Sequence, residues 1–315
     1  MTEPLEALLS RARALSWERF GRRLTLYLPG MFVLDGKRGR YPAISISGAG
    51  CVLQCDHCAG QILKPMLHAM TPEDLVETCK RLQAEGMEGC LITGGSDREG
   101  RLPWDRFLEA IAQVKDETGL HLSVHSGMVD KRTAVALKEA GVDQALLDVV
   151  GAEETFREVL HLEGGEVRMR RTLAALDAAG LEMIPHIVMG IHFGRILGER
   201  RALQMLIPFR PKLLVWVMFM PLRHTPMQGT NPLPPDEAAW LLAESRLLLP
   251  HTEISLGCAR PRGRIRAEME RLAILAGVNR MALYSDETVE YARSLGLKVE
   301  FQGSCCSVAW QRRGC

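Results

Sequence analysis

From Ala43 to Tyr284 the chain alternates short, continuously apolar runs with longer amphipathic segments, and few folds tolerate that rhythm. The apolar runs are AISIS (43–47), CLIT (90–93), LHLSVHS (120–126), QALLDVV (144–150), EMIPHIVMG (182–190), LLVWVMF (213–219), EISLG (253–257) and RMALY (280–284). A strand that is apolar on both faces belongs between layers of helices, as in a parallel sheet. Helical spacing of apolar residues fills the intervals, near 71–85, 103–118, 130–140, 166–179, 196–207, 235–248, 264–276 and 286–295. The punctuation agrees. Thr71-Pro72-Glu73-Asp74 and Pro234-Pro235-Asp236-Glu237 place proline and early acids at helix starts. EAGV (139–142), DAAGLE (177–182) and LAGV (275–278) place glycine just after a helix.

Repeats of this kind predict an α/β fold, a (β/α)8 TIM-type barrel that is complete or nearly so. An open doubly wound sheet is the alternative. An amphipathic helix over 4–20 and an extended stretch make up residues 1–40, ahead of a barrel spanning 41–300. Residues 301–315 form a cysteine-containing tail, expected over the barrel mouth. The barrel places chemistry at the C-terminal ends of its strands.

Composition removes several classes of function. An apolar content of 47% over 315 residues excludes a disordered chain. Lys plus Arg number 39 and Asp plus Glu 38, a balance that gives no general footprint for nucleic acid or an anionic membrane. No apolar run reaches the roughly 18 residues that span a bilayer. The opening MTEPLEALLSRARALSWERF carries Glu3 and Glu6 and no unbroken apolar core, so it does not read as a secretory signal, and a cytoplasmic location is expected. Nine cysteines, an odd number, then point to metal ligation or redox chemistry rather than to disulfides.

Three of the nine, Cys51, Cys55 and Cys58, stand at C-x3-C-x2-C spacing in SGAGCVLQCDHCAG, directly after the first strand. Three thiolates on one tight loop can hold three irons of a [4Fe–4S] cluster and leave the fourth open for a substrate. Closed structural zinc sites and electron-transfer clusters take four protein ligands. A zinc loop or a plain thiol cluster is the alternative. Ser47, Gly48, Ala49 and Gly50 keep the approach to the loop small.

This spacing after strand one of a barrel resembles the radical SAM superfamily. The resemblance implies that S-adenosylmethionine chelates the open iron and that an electron from the cluster releases a 5′-deoxyadenosyl radical. His57 stands where the family usually carries an aromatic residue. Thr93-Gly94-Gly95-Ser96 resembles the Gly-Gly-Glu segment that receives the methionine amino group, with Ser96 in place of Glu, so backbone carbonyls would carry more of that contact. His125, Ser126 and Gly127 end the third strand, and Asp148 ends the fourth, where polar groups meet the ribose; polar side chains satisfied by backbone are the alternative. HIVMGIH (186–192), with Met189 and Gly190, resembles the segment that lies along the adenine, and His186 and His192 read equally as core or rim residues.

MPLRHTPMQGTNPLPPDEAAWLL (220–242) resembles biotin synthase relatives at Pro221, Thr225 and Pro226, with His224 where glycine is usual. About residues 40–300 share the likeness. Cys258, in LGCARPRGR, ends the seventh strand; Arg260, Arg262, Arg264 and Arg266 follow, either as an anion clamp or as a solvated helix start, the latter opposing the helix dipole. Cys258 with Cys305 and Cys306 of the tail could hold a second, auxiliary iron–sulfur cluster, if the tail folds back; a buried thiol and a loose tail pair is the alternative. Cys79 and Cys90 read as packing residues, and Cys315 is uninformative.

GCVLQCDHCAGQILKPM, GCARPRG and the terminal Cys-Cys resemble one component of the two-protein lipoyl synthases. That implies sulfur insertion into an octanoyl group on a lipoyl carrier protein, with a second radical SAM protein and an electron donor as partners. A radical enzyme acting on a free small molecule, by biotin synthase-like chemistry, rearrangement or methylation, is the first alternative. A non-catalytic iron–sulfur electron carrier is the second.

Overall fold

A computed structural model describes residues 3–34, 36–261 and 263–308. Cys315 and Arg262 lie outside the described residues. The chain opens with α1 (Leu5–Phe20), β1 (Arg23–Tyr27) and an antiparallel pair, β2 (Val33–Leu34) and β3 (Lys37–Arg38). Then come β4 (Ala43–Ser45), β5 (Leu67–His68), α2 (Pro72–Ala84), β6 (Gly89–Thr93), α3 (Leu108–Glu117), β7 (His121–His125), α4 (Lys131–Glu139) and β8 (Gln144–Asp148). After α5 (Glu153–Glu158) and α6 (Gly165–Ala178) follow β9 (Glu182–Met189), α7 (Glu199–Leu206), β10 (Leu213–Met218) and α8 (Pro235–Leu248). The last elements are β11 (Glu253–Leu256), α9 (Arg264–Leu275), β12 (Arg280–Ala282), α10 (Asp286–Ser294) and β13 (Lys298–Gln302).

Eleven strands form one curled parallel sheet in the order β13-β1-β12-β11-β10-β9-β8-β7-β6-β4-β5. The two faces of each strand are buried against different partners. Leu214 and Trp216 of β10 join the large core under the helices, whereas Leu213 and Val215 of the same strand join a small inner cluster with Tyr27, Leu146, Ile184, Ala282 and Cys306. That division into an outer layer and a filled interior is the packing of a (β/α)8-type barrel, and it disposes of the open doubly wound sheet. The ladder stops short of closure: β4 pairs with β5 on its free side. The seam between β4 and β13 is bridged by the Arg40 N–H, which donates to the Gly303 carbonyl at 2.5 Å.

The eight predicted strands are all present, and their helices follow the sequence signals. Thr71 and Asp74 form a reciprocal capping box on α2, Asp130 caps α4 and Ser285 caps α10. Leu75 and Leu82 sit buried beneath α2, at roughly 1.5–3 kcal/mol each. The stretch LTLYL does more than connect. It forms β1, which pairs with β12 on one side and β13 on the other, at Leu26↔Met281 and Leu26↔Phe301. α1 lies over α8 and α9, where Ser16 Oγ donates to the Gly277 carbonyl at 2.7 Å.

The C-terminal tail takes a different path from the one expected. Rather than crossing the mouth, it turns into the barrel at the opposite end. Gln144, the first residue of β8, donates to the Ser307 carbonyl at 3.1 Å, and Arg280, the first of β12, donates to the carbonyls of Cys306 and Val308. Buried Gln144 and Arg280 present donors there with few strand partners, and the tail carbonyls satisfy them.

Candidate active site

Cys51, Cys55 and Cys58 lie on the loop that leaves β4. Within it Gln54 and Ala59 hold left-handed φ values of 47° and 42°, so the backbone turns sharply twice around the motif. The Cys58 and Ala59 N–H groups both donate to the Cys55 carbonyl, at 3.1 and 2.8 Å. Outside supports fix the loop. Asp56 N–H donates to the Val159 carbonyl at 2.8 Å, and the Asp56 carboxylate meets His161 Nε2 at 2.9 Å.

The residues after β6 brace the same loop. Val52 N–H donates to the Ser96 carbonyl at 2.8 Å, and Gly95 N–H donates to Ser47 Oγ at 2.6 Å. A Cβ on Gly95 would lie 1.9 Å from the Gly50 carbonyl oxygen and 2.5 Å from Cys51 Cα, so only glycine fits. Gly95→Ala is expected to push the Cys51 backbone outward. Iron content after reconstitution should fall well below wild type, with secondary structure by circular dichroism unchanged.

The thiols are electrostatically distinct. A hydrogen bond from Cys55, opposed by burial and aided by His57, pulls the Cys58 thiol down to about 4, which favours its thiolate form. The same bond and burial push Cys55 up, with Cys51 near enough to add to the effect. His57 is half-buried, and its Nδ1, which is out of solvent, has no hydrogen-bond partner among the described residues. Burial opposes its charge, but Cys58 and Asp148 outweigh it and raise its pKa.

At the mouth, Asp148 Oδ2 lies 3.4 Å from His125 Nε2, and the His125 and His186 rings stand 6.4 Å apart. Burial works against the Asp148 charge, yet His125, His186 and His57 together lower it to about 2. His125 is raised, because Asp148 outweighs the cost of burial. Burial, with the His125 charge added, lowers His186 to about 4, and its Nδ1 lies 3.0 Å from the Ile184 carbonyl. A neutral His186 therefore donates from Nδ1 and keeps Nε2 as an acceptor. Asp148→Asn should leave burial unopposed at His125 and drop its pKa below 6.5, read from imidazole NMR titrations.

Other expected residues also make contacts within the fold. Ser126 is buried and its hydroxyl donates to the Gly127 carbonyl at 3.0 Å. Met189 is buried in the helix-side core and its carbonyl accepts from Phe219 N–H. Gly190, at φ 74°, donates its N–H to Glu199 Oε1 at 2.8 Å. Sequence reading missed Glu199: buried at the start of α7, it also takes the Leu197 N–H and so ties the whole β9–α7 loop. A lone acid at a helix start, following Gly198, was the available signal. His192 Nδ1 lies 3.2 Å from Thr155 Oγ1, a rim contact.

Of the four arginines expected as an anion clamp, the two whose side chains are described, Arg260 and Arg266, are taken up inside the fold instead; the Arg262 and Arg264 side chains lie outside the described residues. Arg260 and Arg266 both pair with buried Glu270, at 2.6 and 2.7 Å. Cys258 itself packs on the inner cluster that contains Cys306, and the Cys305 charge helps burial push it up to about 11. Cys305 is lowered to about 6 by a hydrogen bond from Cys306, against burial and with help from Ser307 Oγ at 3.0 Å. Cys258 and Cys306 therefore share the inner cluster below the mouth, with Cys305 next to Cys306 in the chain and close enough for its charge to act on Cys258, although among the described residues the three do not form a closed ligand set.

Residues 45–201 match the model of the radical SAM superfamily, a span that contains all three loop cysteines, Gly95, Asp148 and Glu199. The chain belongs to the radical SAM superfamily. Curated relatives along most of its length are biotin synthases. That of Hyphomonas neptunium is 27% identical over 286 residues, covering 88% of this chain and 82% of the relative; that of Acidithiobacillus ferrooxidans is 27% identical over 249 residues, covering 76% of each. Among solved structures, methylornithine synthase (PylB) superposes with a TM-score of 0.64 at 21% identity, over 95% of this chain and 90% of that one. The [FeFe]-hydrogenase maturase HydG does so with 0.68 at 14% identity, over 95% and 69%. Those two likenesses concern the fold.

A radical SAM protein carries a [4Fe–4S] cluster and S-adenosylmethionine, and the residues here fit both. Cys51, Cys55 and Cys58 would supply the donors, with Cys58 the most readily ionised, and glycine at 95 leaves the loop backbone room to lie close. When bound, the cluster supplies the electron that splits the sulfonium of S-adenosylmethionine. Asp148, His125 and His186 stand together and would meet polar groups of S-adenosylmethionine, while the Glu199-tied loop keeps the β9 backbone in place.

Proposed function

We propose that this radical SAM enzyme forms a carbon–sulfur bond on a small substrate held in the barrel mouth. The observation that carries the reading is the placement of Cys258 and Cys306 on one inner cluster, with Cys305 adjoining Cys306, on a tail that enters from the far end. Biotin synthases as relatives along 88% of the chain support it. An unactivated C–H bond has no acidic hydrogen for a side-chain base, so a radical is needed, and the barrel then orients the substrate and keeps water out. Cys258, Cys305 and Cys306 would hold the sulfur-donating iron–sulfur group beneath the substrate.

The test is anaerobic reconstitution, then product analysis by mass spectrometry with a sulfur-free biotin precursor, a panel of short alkyl acids and an octanoylated carrier peptide. The expected result is 5′-deoxyadenosine together with a new C–S bond in a small molecule. Cys258→Ala and Cys305→Ala should retain 5′-deoxyadenosine but lose the sulfur product and part of the iron. Products without sulfur would overturn the proposal. Sulfur on the octanoyl peptide alone would install the carrier-bound substrate, with its second radical SAM partner, in its place.

A further inference from the structure

At the end of the barrel where the strands begin, the tail itself covers the inner cysteines. Ser304, Cys306, Ser307 and Val308 are buried there, beside the first residues of β8 and β12. Around Cys306, which is 3% exposed, Tyr27, Leu146, Ile184, Leu213, Val215 and Ala282 fill the interior. Ions do not pass through apolar packing of that kind, because it strips their water and offers no partner in return. No strand ladder holds the tail. The Gly303 carbonyl takes the Arg40 N–H, and from Ser304 to Val308 the one bond between backbone groups is the tail's own turn, Val308 N–H to the Cys305 carbonyl at 3.0 Å. The rest of the grip comes from two side chains, Gln144 and Arg280, on the carbonyls of Cys306, Ser307 and Val308. The fit is incomplete. Ser304 Oγ is buried without a hydrogen-bond partner among the described residues, a penalty that water relieves once the tail is out. The seat does not depend on the tail: Arg280 also pairs with Glu253, which lies 3.6 Å from Arg23 of β1.

We propose that residues 303–308 form a removable plug, and that the strand-start end is the entrance through which ferrous iron and sulfide reach Cys258, Cys305 and Cys306. The inference rests on those three cysteines binding the iron–sulfur group of the reading above. Sulfur insertion uses up sulfide from that group, so sulfide and iron must be resupplied, while S-adenosylmethionine and substrate occupy the mouth. Withdrawal carries two of the three thiols into solvent and leaves Cys258 on the body of the barrel. Each thiol gives its proton to solvent as iron binds, and reseating brings the ions in with the tail. No covalent bond is made or broken in the movement.

The test follows alkylation of each cysteine by iodoacetamide in the metal-free full chain, mapped by peptide mass spectrometry. Each rate is taken relative to the same cysteine in the denatured chain. Cys79 and Cys90, fully buried between α2 and β6, open with the fold as a whole and calibrate the scale. Cys305 and Cys306 should react at least about tenfold faster than that pair. Arg280→Lys with Gln144→Ala, and Gln144→Ala alone as the milder change, should speed the tail pair further and leave Cys79 and Cys90 unchanged. Iron uptake is then timed in a chain carrying Cys51→Ala, Cys55→Ala and Cys58→Ala, given ferrous iron and sulfide. The loosened tail should load faster, and loading should slow alkylation of Cys305 and Cys306. Equal rates for the tail pair and for Cys79 and Cys90 would overturn the plug, since the tail would then leave only when the whole fold opens. Unchanged loading with the loosened tail would overturn the entrance. No iron uptake at all in that chain would overturn the ligand reading and the entrance with it, while the alkylation rates decide the plug separately.

Discussion

Replacing any one of Cys51, Cys55 and Cys58 by alanine is expected to abolish 5′-deoxyadenosine formation and to remove one cluster's iron from the reconstituted protein. The expectation is stronger than for a single hydrogen bond because each thiolate is one of only three protein ligands. With two left, the cluster has no closed set of donors and no defined open iron. The controls lie in the same chain. Cys79 and Cys90 are buried with their sulfurs 4.0 Å apart, between α2 and β6, and alanine there costs packing alone. Their variants should lose stability by a few kcal/mol at most and keep the nucleoside product. Iron counting, the charge-transfer absorbance of the cluster and nucleoside chromatography together separate the two groups.

The largest loss of stability is expected from Glu270→Ala. Glu270 is fully buried on α9, with Arg260 and Arg266 on one carboxylate oxygen and Ser285 and Thr288 on the other. Arg260 is itself buried, and also donates to the carbonyls of Gly257, Ala282 and Leu283. Removing the acid strands a guanidinium that water cannot reach, at about 3–5 kcal/mol. Glu270→Gln should cost less, since an amide keeps an acceptor in place. The denaturant midpoint should move while the slope does not, which marks a native-state effect. Because the same network holds the backbone at Gly257, Cys258 should become more reactive to alkylation in the alanine variant.

Most of the architecture was legible because buried parallel strands announce themselves. Runs such as LLVWVMF leave few alternatives, and Thr71-Pro72 or Gly180 mark where elements start and stop. Six elements escaped: the two-residue strands β2, β3 and β5, which are too short to leave a pattern, and three longer ones. α5 is too short for periodicity, β13 (KVEFQ) carries charges because it lies half exposed, and β1 read as an extended connection since its two neighbours come from the far end of the chain. The cysteine loop was legible from spacing alone. Its braces were not: a serine carbonyl at 96 and a histidine at 161 act through backbone or long-range contacts that leave no local pattern, as does Glu199 on the β9–α7 loop. The arginines after Cys258 misled for a related reason. Four cations in seven residues look like an anion site until Glu270, four residues on, takes up Arg260 and Arg266. The direction of the tail depended on donors at the starts of β8 and β12, which no local pattern could supply.

The insertion of β1 between β12 and β13 has a consequence for the order of events during synthesis. Leu26 and Met281, which sit side by side in the sheet, are 255 positions apart along the chain. At about 5–20 residues per second, β1 waits roughly 13–50 s after leaving the ribosome for its first neighbour, and longer for its second. Until then Leu24 and Leu26 have nowhere to be buried, while the strands from β4 to β9, with the cysteine loop, can already have assembled. The metal-binding half of the molecule is thus complete as a folding unit before the segment that precedes it in the gene has found its place. A chaperone that shields short apolar N-terminal stretches would act on exactly that interval.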